Sequence, residues 1–204
     1  MVITIIDYNV GNIQSIVNML RKIGHAAVVT KDPEVINKAG KLILPGVGAF
    51  DYGMEQLRAT GLIPVITRKT MEDHIPFLGI CLGAQLLLGS SEEGQTAGLD
   101  FLPGKVIRFK AVNADMKIPH MGWNEVTVEK PSPLFNGLET DARFYFVHAY
   151  HFEMEKESDM LTTSTYGYTF CSSFSRDNIY GVQFHPEKSH KFGMKLLKNF
   201  AENC

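Results

Sequence analysis

Three short segments carry residue types whose spacing suits nucleophilic chemistry. Gly79-Ile80-Cys81-Leu82-Gly83 stands where an apolar run, residues 77–80, meets a helical pattern. A nucleophile with a glycine two positions away on either side marks a strand-to-helix elbow, the sharp turn that lifts a reactive atom clear of a sheet. The turn is strained and crowded, so side chains at the flanking positions do not fit. A cysteine there opens a helix, where the macrodipole and unpaired N–H groups favour a thiolate. The N–H of Leu82 can then point at a developing oxyanion. The competing reading is an inert cysteine at the end of an apolar strand, and the coincidence of both glycines with the strand-turn-helix context speaks against it. Cys171, inside an alternating run, and Cys204, the last residue, have no elbow and read as filler.

A thiol nucleophile needs a base that takes its proton and later returns it to the leaving amine. Gly181-Val182-Gln183-Phe184-His185-Pro186-Glu187 supplies the candidate. An apolar strand is expected over 180–184, ending at His185, because Pro186 cannot continue a central ladder. Strand periodicity puts Glu187 on the side of His185, where its carboxylate can orient the ring. His151 and Glu153 share that spacing within a less apolar segment and are the main competitor. His25, His74 and His190 lie beside turns or polar faces and read as solvated.

The third segment, Leu44-Pro45-Gly46-Val47-Gly48-Ala49-Phe50, follows another apolar run. Gly46 and Gly48 free the backbone to approach a substrate, and the Val47–Gly48 stretch can provide the second oxyanion donor beside Leu82. There is no GxGxxG and no Walker lysine, which excludes a nucleotide site.

The elements that must position these groups alternate in the first half of the chain. Strands are expected over 2–6, 26–30, 41–44 and 77–80. Helices are expected over 12–23, from Asp32-Pro33, over 50–59 and 63–72, and from 83 to 88. Such alternation implies a parallel sheet with helices on both faces. Beyond residue 100 the pattern changes to strands at 105–109, 125–128, 144–148, 160–165 and 168–174, with a closing helix over 194–203. No repeat or linker interrupts residues 1–204, so one domain is expected. The fold class is α/β, with a mixed, largely parallel central sheet flanked by helices and additional antiparallel strands in the C-terminal half.

Composition bounds the function. The 204 residues are 45% hydrophobic and 21% charged, with net charge -2 and no basic block, so no nucleic-acid partner is expected. No apolar stretch approaches the roughly 20 residues that cross a bilayer. The start lacks a basic segment and cleavage site, so no signal peptide is expected and the location reads as cytoplasmic. Three cysteines without a CxxC pair argue against a disulfide framework or zinc site. No metal or cofactor is expected.

GICLGAQLL, the PGVG loop and GVQFHPEKS together resemble the class I (triad) glutamine amidotransferases. IIDYNVGN, KIPHMGWN (117–124) and FYFVH (144–148) further resemble, within that family, the glutaminase subunits of imidazole glycerol phosphate synthase, and the likeness covers nearly the whole chain. It implies L-glutamine as substrate, a catalytic triad of Cys81, His185 and Glu187, and an oxyanion hole from Leu82, Val47 and Gly48, with a peptide rotation in the 45–48 loop as its switch. It implies Gly46, Gln85, His148 and Tyr150 at the substrate. It implies a heterodimer in which ammonia passes to a (β/α)8-barrel cyclase subunit of histidine biosynthesis, with Asn12, Pro119, Met121, Trp123 and Lys188 on the interface. For KIPHMGWN the alternative is core packing; proline, methionine and tryptophan in succession fit a recognition patch. Asn9, Ala84, Ala149 and His151 depart from the family pattern. They leave open a paralogue whose barrel partner aminates a sugar nucleotide for surface polysaccharide. A thiol peptidase would share the elbow but not KIPHMGWN, and a regulatory module without turnover would not need an intact triad.

Overall fold

The computed structural model describes residues 2–138 and 141–204. Thirteen strands are described: β1 Ile3–Ile6, β2 Ala27–Thr30, β3 Leu42–Leu44, β4 Phe77–Ile80, β5 Ser90–Ser91, β6 Gly104–Arg108, β7 His120–Glu125, β8 Thr127–Val128, β9 Arg143–His148, β10 Tyr150–Met154, β11 Met160–Tyr166, β12 Tyr168–Arg176 and β13 Ile179–Val182. The helices are α1 Ile13–Lys22, α2 Pro33–Asn37, α3 Phe50–Ala59, α4 Ile63–Thr67, α5 Leu82–Gln85 and α6 His190–Asn203.

The main sheet runs β2-β1-β3-β4-β13-β12-β10-β6-β5, with β11 on β12 and β8 on β11. The stretch from β2 through β13 is parallel, and β12, β10 and β6 add antiparallel pairings. The expected mixed, largely parallel sheet is therefore present. β1, β3, β4 and β13 are buried along their whole length, which is why they read as unbroken apolar runs. β2, at the edge, is the partly exposed one.

One core packs Leu42, Leu44 and Phe77 of the sheet against Phe50, Met54, Leu57 and Ile66. The other packs Ile3, Ile5, Ile43, Leu78 and Ile80 against Ile16 and Leu20 of α1 and Leu196, Leu197 and Phe200 of α6. Successive strand residues thus feed opposite faces, and helices cover both. β7 and β9 form a separate antiparallel pair, His120 opposite His148.

Several boundaries differ from expectation. The helix foreseen over 63–72 is α-helical only to Thr67 and continues as a π-turn over Arg68–Glu72, closed by Asp73 N–H on the Arg68 carbonyl. The elbow helix ends at Gln85; Leu86 still bonds back to Leu82, and Leu87 and Leu88 tighten into i→i−3 bonds. The strand foreseen over 180–184 stops at Val182. The strand foreseen over 125–128 is two, β7 and β8, separated at Val126. β5 and β10 carry too little apolar alternation to be foreseen.

Candidate active site

β4 and β13 lie side by side in parallel register, Ile80 opposite Val182. Whatever follows Ile80 therefore emerges beside whatever follows Val182. Cys81 N–H donates to the Val182 carbonyl at 2.8 Å, joining the two strand tops. Cys81 takes φ 54° and ψ −114°, and its carbonyl accepts from Ala84 and Gln85, which starts α5. The flanking glycines are sterically required. A Cβ on Gly83 would lie 1.9 Å from the Leu44 carbonyl oxygen, and one on Gly79 would lie 2.6 Å from Ala84 Cα. The end of β3 is thus pressed onto the elbow and carries the 45–49 loop with it. Tyr8, fully buried, donates from its hydroxyl to the Pro45 carbonyl at 2.6 Å. Burial, then the charge of Cys81, hold its phenol far above its usual range. Gly48 has φ 100°, and Val47, Gly48 and Ala49 are exposed along the loop.

His185 N–H pairs with the Tyr145 carbonyl at 2.9 Å, and Ser189 Oγ donates to the His185 carbonyl at 2.6 Å. Its Nδ1 lies 2.8 Å from Glu187 Oε1, both side chains 2% exposed or less. The pairing does not arise from strand periodicity as the sequence reading had it. Pro186–Lys188 is a 3-10 turn, and this turn folds Glu187 back under the ring. His185 Nε2 is buried without an ordinary hydrogen-bond partner. Burial opposes its charged form, but Cys81 foremost and Glu187 next outweigh that, raising the imidazole to about 10. A thiolate facing an imidazolium oriented by a carboxylate can attack an acyl carbon and protonate the leaving amine.

Cys81, Leu82, His185, Val47, Gly48, Gln85, His148, Tyr150, Pro119 and Lys188 all line one cavity of about 530 Å³. The structure therefore brings most of the residues named from sequence to one place. Gly46 is an exception. It lies behind the elbow, where a Cβ would meet Gly83 N at 2.5 Å and the Tyr8 hydroxyl at 2.6 Å, and it is not on the cavity wall. Asn12 caps α1, accepts from Ser15 Oγ, and is likewise outside the cavity. Met121 and Trp123 are 62% and 47% exposed on β7, while His120 between Pro119 and Met121 is buried, so KIPHMGWN supplies both an outward and an inward face. Trp123 stacks on exposed His190 at 5.4 Å. The competing pair separates: His151 contacts the Tyr168 hydroxyl, while Glu153 pairs with Lys105.

Three contributors escaped the sequence reading. Gln183 Nε2 donates to Cys81 Sγ at 3.7 Å, and Gln183 Oε1 accepts from Gln85 Nε2 at 3.1 Å. Its place two residues before His185 was the available signal. Glu93 is the acidic residue among the cavity's lining, and it accepts from Phe50 N–H at 2.8 Å. Neither it nor Tyr8 belongs to a segment whose local pattern marks it.

The sequence model of the family described as glutamine amidotransferase class-I matches residues 4–204. A Methanococcus maripaludis protein named imidazole glycerol phosphate synthase subunit HisH 2 is 54% identical over 99% of this chain and 100% of its own length. A Pseudomonas aeruginosa protein of the same name is 48% identical over 98% of both chains. A Syntrophotalea carbinolica protein named imidazole glycerol phosphate synthase subunit HisH is 47% identical over 98% of this chain and 99% of its own. None of these names supports the sugar-nucleotide alternative. Among solved structures, a glutamine amidotransferase superposes with TM-score 0.76 at 20% identity, covering 98% of this chain and 97% of the other. PurLQS from Thermotoga maritima gives 0.74 at 19%, with the same coverage. Those likenesses concern the fold. With a family match over all but the first three residues and relatives near half identity over their full length, the chain belongs to the class I glutamine amidotransferases.

Proposed function

We propose that this chain is the glutaminase subunit of an imidazole glycerol phosphate synthase, acting as one domain in the cytoplasm. Cys81 Sγ attacks the side-chain amide carbon of L-glutamine. The C–N bond then breaks, and the departing ammonia takes the proton held by His185. Water, deprotonated by His185, cleaves the resulting thioester to glutamate and free thiol. Glu187 holds the imidazole in place, and Leu82 with the Val47–Gly48 peptide receives the oxyanion. Gly48 lets that peptide turn either way, which suits a loop that completes the hole only when a partner is seated. Gln85 and Tyr150 contact the substrate body, and Glu93 suits the α-ammonium because it is the cavity's anionic wall.

The observation that carries the reading is the convergence of Cys81 with a Glu187-oriented His185 at one cavity. Pro119 and Lys188 at that cavity, with Met121 and Trp123 exposed on the adjoining strand, support a seated partner; relatives named as subunits of imidazole glycerol phosphate synthase support the other subunit of that enzyme, and the family resemblance implies that it is a (β/α)8-barrel cyclase that takes the ammonia in histidine biosynthesis. The test is ammonia release from glutamine with that cyclase present, together with rescue of a histidine auxotroph lacking the glutaminase subunit. Turnover should vanish in Cys81→Ala. Retained turnover in that variant would overturn the chemistry, and failed rescue would overturn the pathway.

A further inference from the structure

A chain of neutral side chains runs inward from β7 to the wall of the glutamine cavity, and its proton positions are dictated at both ends. Asn124 is oriented by two backbone groups: its Nδ2 donates to the Thr165 carbonyl at 2.8 Å, and its Oδ1 accepts from Glu125 N–H at 2.9 Å. The second Nδ2 hydrogen is left for His120 Nε2, 3.3 Å away. At the far end, His148 Nδ1 lies 2.6 Å from the Tyr150 carbonyl, which can only accept, so this nitrogen carries the hydrogen. A neutral His148 then has a bare Nε2. Its neighbour at 3.0 Å is His120 Nδ1, which must donate. That leaves His120 Nε2 bare, as the Asn124 amide requires. Working from either end gives the same answer, with both rings as Nδ1–H tautomers.

The surroundings keep both rings neutral and in register. His120 is stacked on Tyr166 at 4.1 Å and on Phe146 at 4.8 Å. Burial lowers His120 to about 4 and His148 to about 3. Residues 148–150 join β9 to β10 and line the cavity. Two acceptors of that corner are engaged from the protein side: the Ala149 carbonyl by Phe109 N–H at 3.0 Å, and the Tyr150 carbonyl by His148. The second bond exists only while His148 keeps its hydrogen on Nδ1. Without a donor at Nε2, His148 could carry the hydrogen there instead and release the corner.

Resting on the glutaminase reading above, we propose that His120 is a positioning residue for glutamine binding: by donating to His148 it fixes that ring's tautomer, and so holds the 148–150 corner against the substrate. The same arrangement removes His148 from proton transfer, leaving His185 as the base.

The test uses the intact chain with 15N-labelled histidine and long-range 1H–15N correlation near neutral pH, alongside protection of Cys81 from iodoacetamide by L-glutamine. The wild type should show Nδ1–H tautomers for both rings. His120→Asn keeps a donor where Nδ1 stood and should preserve the His148 signal and the half-protecting glutamine concentration within about twofold. His120→Phe keeps the stacking but loses the donor. It should shift His148 toward the Nε2–H form and raise the half-protecting concentration roughly tenfold, the scale of one hydrogen bond, while the iodoacetamide rate without glutamine stays unchanged. An Nε2–H His148 in the wild type overturns the proposal, even if His120→Phe fails to fold. So does wild-type glutamine protection that both variants leave unaltered. Absence of protection in the wild type would sink the glutaminase reading and this proposal together.

Discussion

At Cys81 the backbone holds φ 54° with ψ −114°, well away from the small left-handed well that non-glycine residues use. Such a conformation costs about 1–3 kcal/mol and persists because β3, α5 and the Val182 carbonyl over-determine it. Replacing the side chain should expose that cost. Cys81→Gly and Cys81→Ala should both abolish glutamine hydrolysis, but only glycine should relieve the strain. After subtracting about 0.5–1 kcal/mol for glycine's freer unfolded chain, the Gly variant should be about 1 kcal/mol more stable than the Ala variant in urea denaturation. A less stable Gly variant would mean the turn is unstrained. Glu187→Gln tests the other half of the site. His185 stands near 10 because Cys81 and then Glu187 outweigh burial. Removing one anion lets burial count for more, so the alkaline limb of the pH–rate profile, which belongs to the coupled Cys81/His185 pair, should move to lower pH. An unmoved limb would deny Glu187 its orienting role. These three residues were legible in the sequence because each sits in a segment whose glycines or proline force a local geometry. Tyr8 and Glu93 were not, since only tertiary packing brings them to residues 37 and 43 positions away.

Elements explain how segments a hundred residues apart meet. The parallel register of β4 and β13 delivers Cys81 and His185 to the same end of the sheet, the edge where α/β folds place their chemistry. The central strands and the alternation of helices were readable because they are buried on both faces and leave unbroken apolar runs. The 3-10 turn under His185 was not. Strand periodicity and a tight turn both bring residues two apart together, so the sequence pointed to the right pair through the wrong geometry. β7 was misplaced for a related reason: its inward positions hold buried His120 and half-buried Asn124 rather than aliphatics, and its outer positions hold Met121 and Trp123, which inverts the usual pattern. That inversion makes a prediction. Trp123 is half exposed and contacts chiefly His190 and Tyr145. Trp123→Ala should therefore change folding stability by no more than about 0.5 kcal/mol. It should weaken cyclase binding by about 2 kcal/mol, roughly thirtyfold. Trp123 is the only tryptophan, so its emission in the wild type reports the same event and should shift to the blue on binding. Undiminished affinity in the variant, measured by calorimetry, would place the partner elsewhere.

Across the whole molecule the buried imidazoles fall into two groups with opposite consequences for pH. His120, His148 and His151 pack around Phe109 next to the main sheet, and burial lowers all three, His120 to about 4 and His148 to about 3. In the unfolded chain each returns to about 6.5. As pH falls through that value the unfolded state takes protons that the folded state refuses, so the stability these rings contribute is lost going from about 6.5 toward 4. His185 works the other way. Its folded value near 10 exceeds the unfolded one, so its contribution is complete below about 6.5 and is lost as pH rises through 10. The two slopes meet close to neutrality, and the stability maximum should lie near pH 6–7 rather than extend as a plateau into alkali. Ordinary carboxylates steepen the acid side in most proteins, so the curve alone does not isolate the imidazoles; a difference does. His120→Asn removes a group that binds about one proton on unfolding at pH 5. Its denaturant-derived stability should therefore fall less steeply than the wild type's between pH 6.5 and 4.5, while the alkaline limb is unchanged. Parallel curves for the two proteins would mean that native His120 takes a proton as readily as in the unfolded chain, and burial would not be what keeps the chain to the cavity wall neutral.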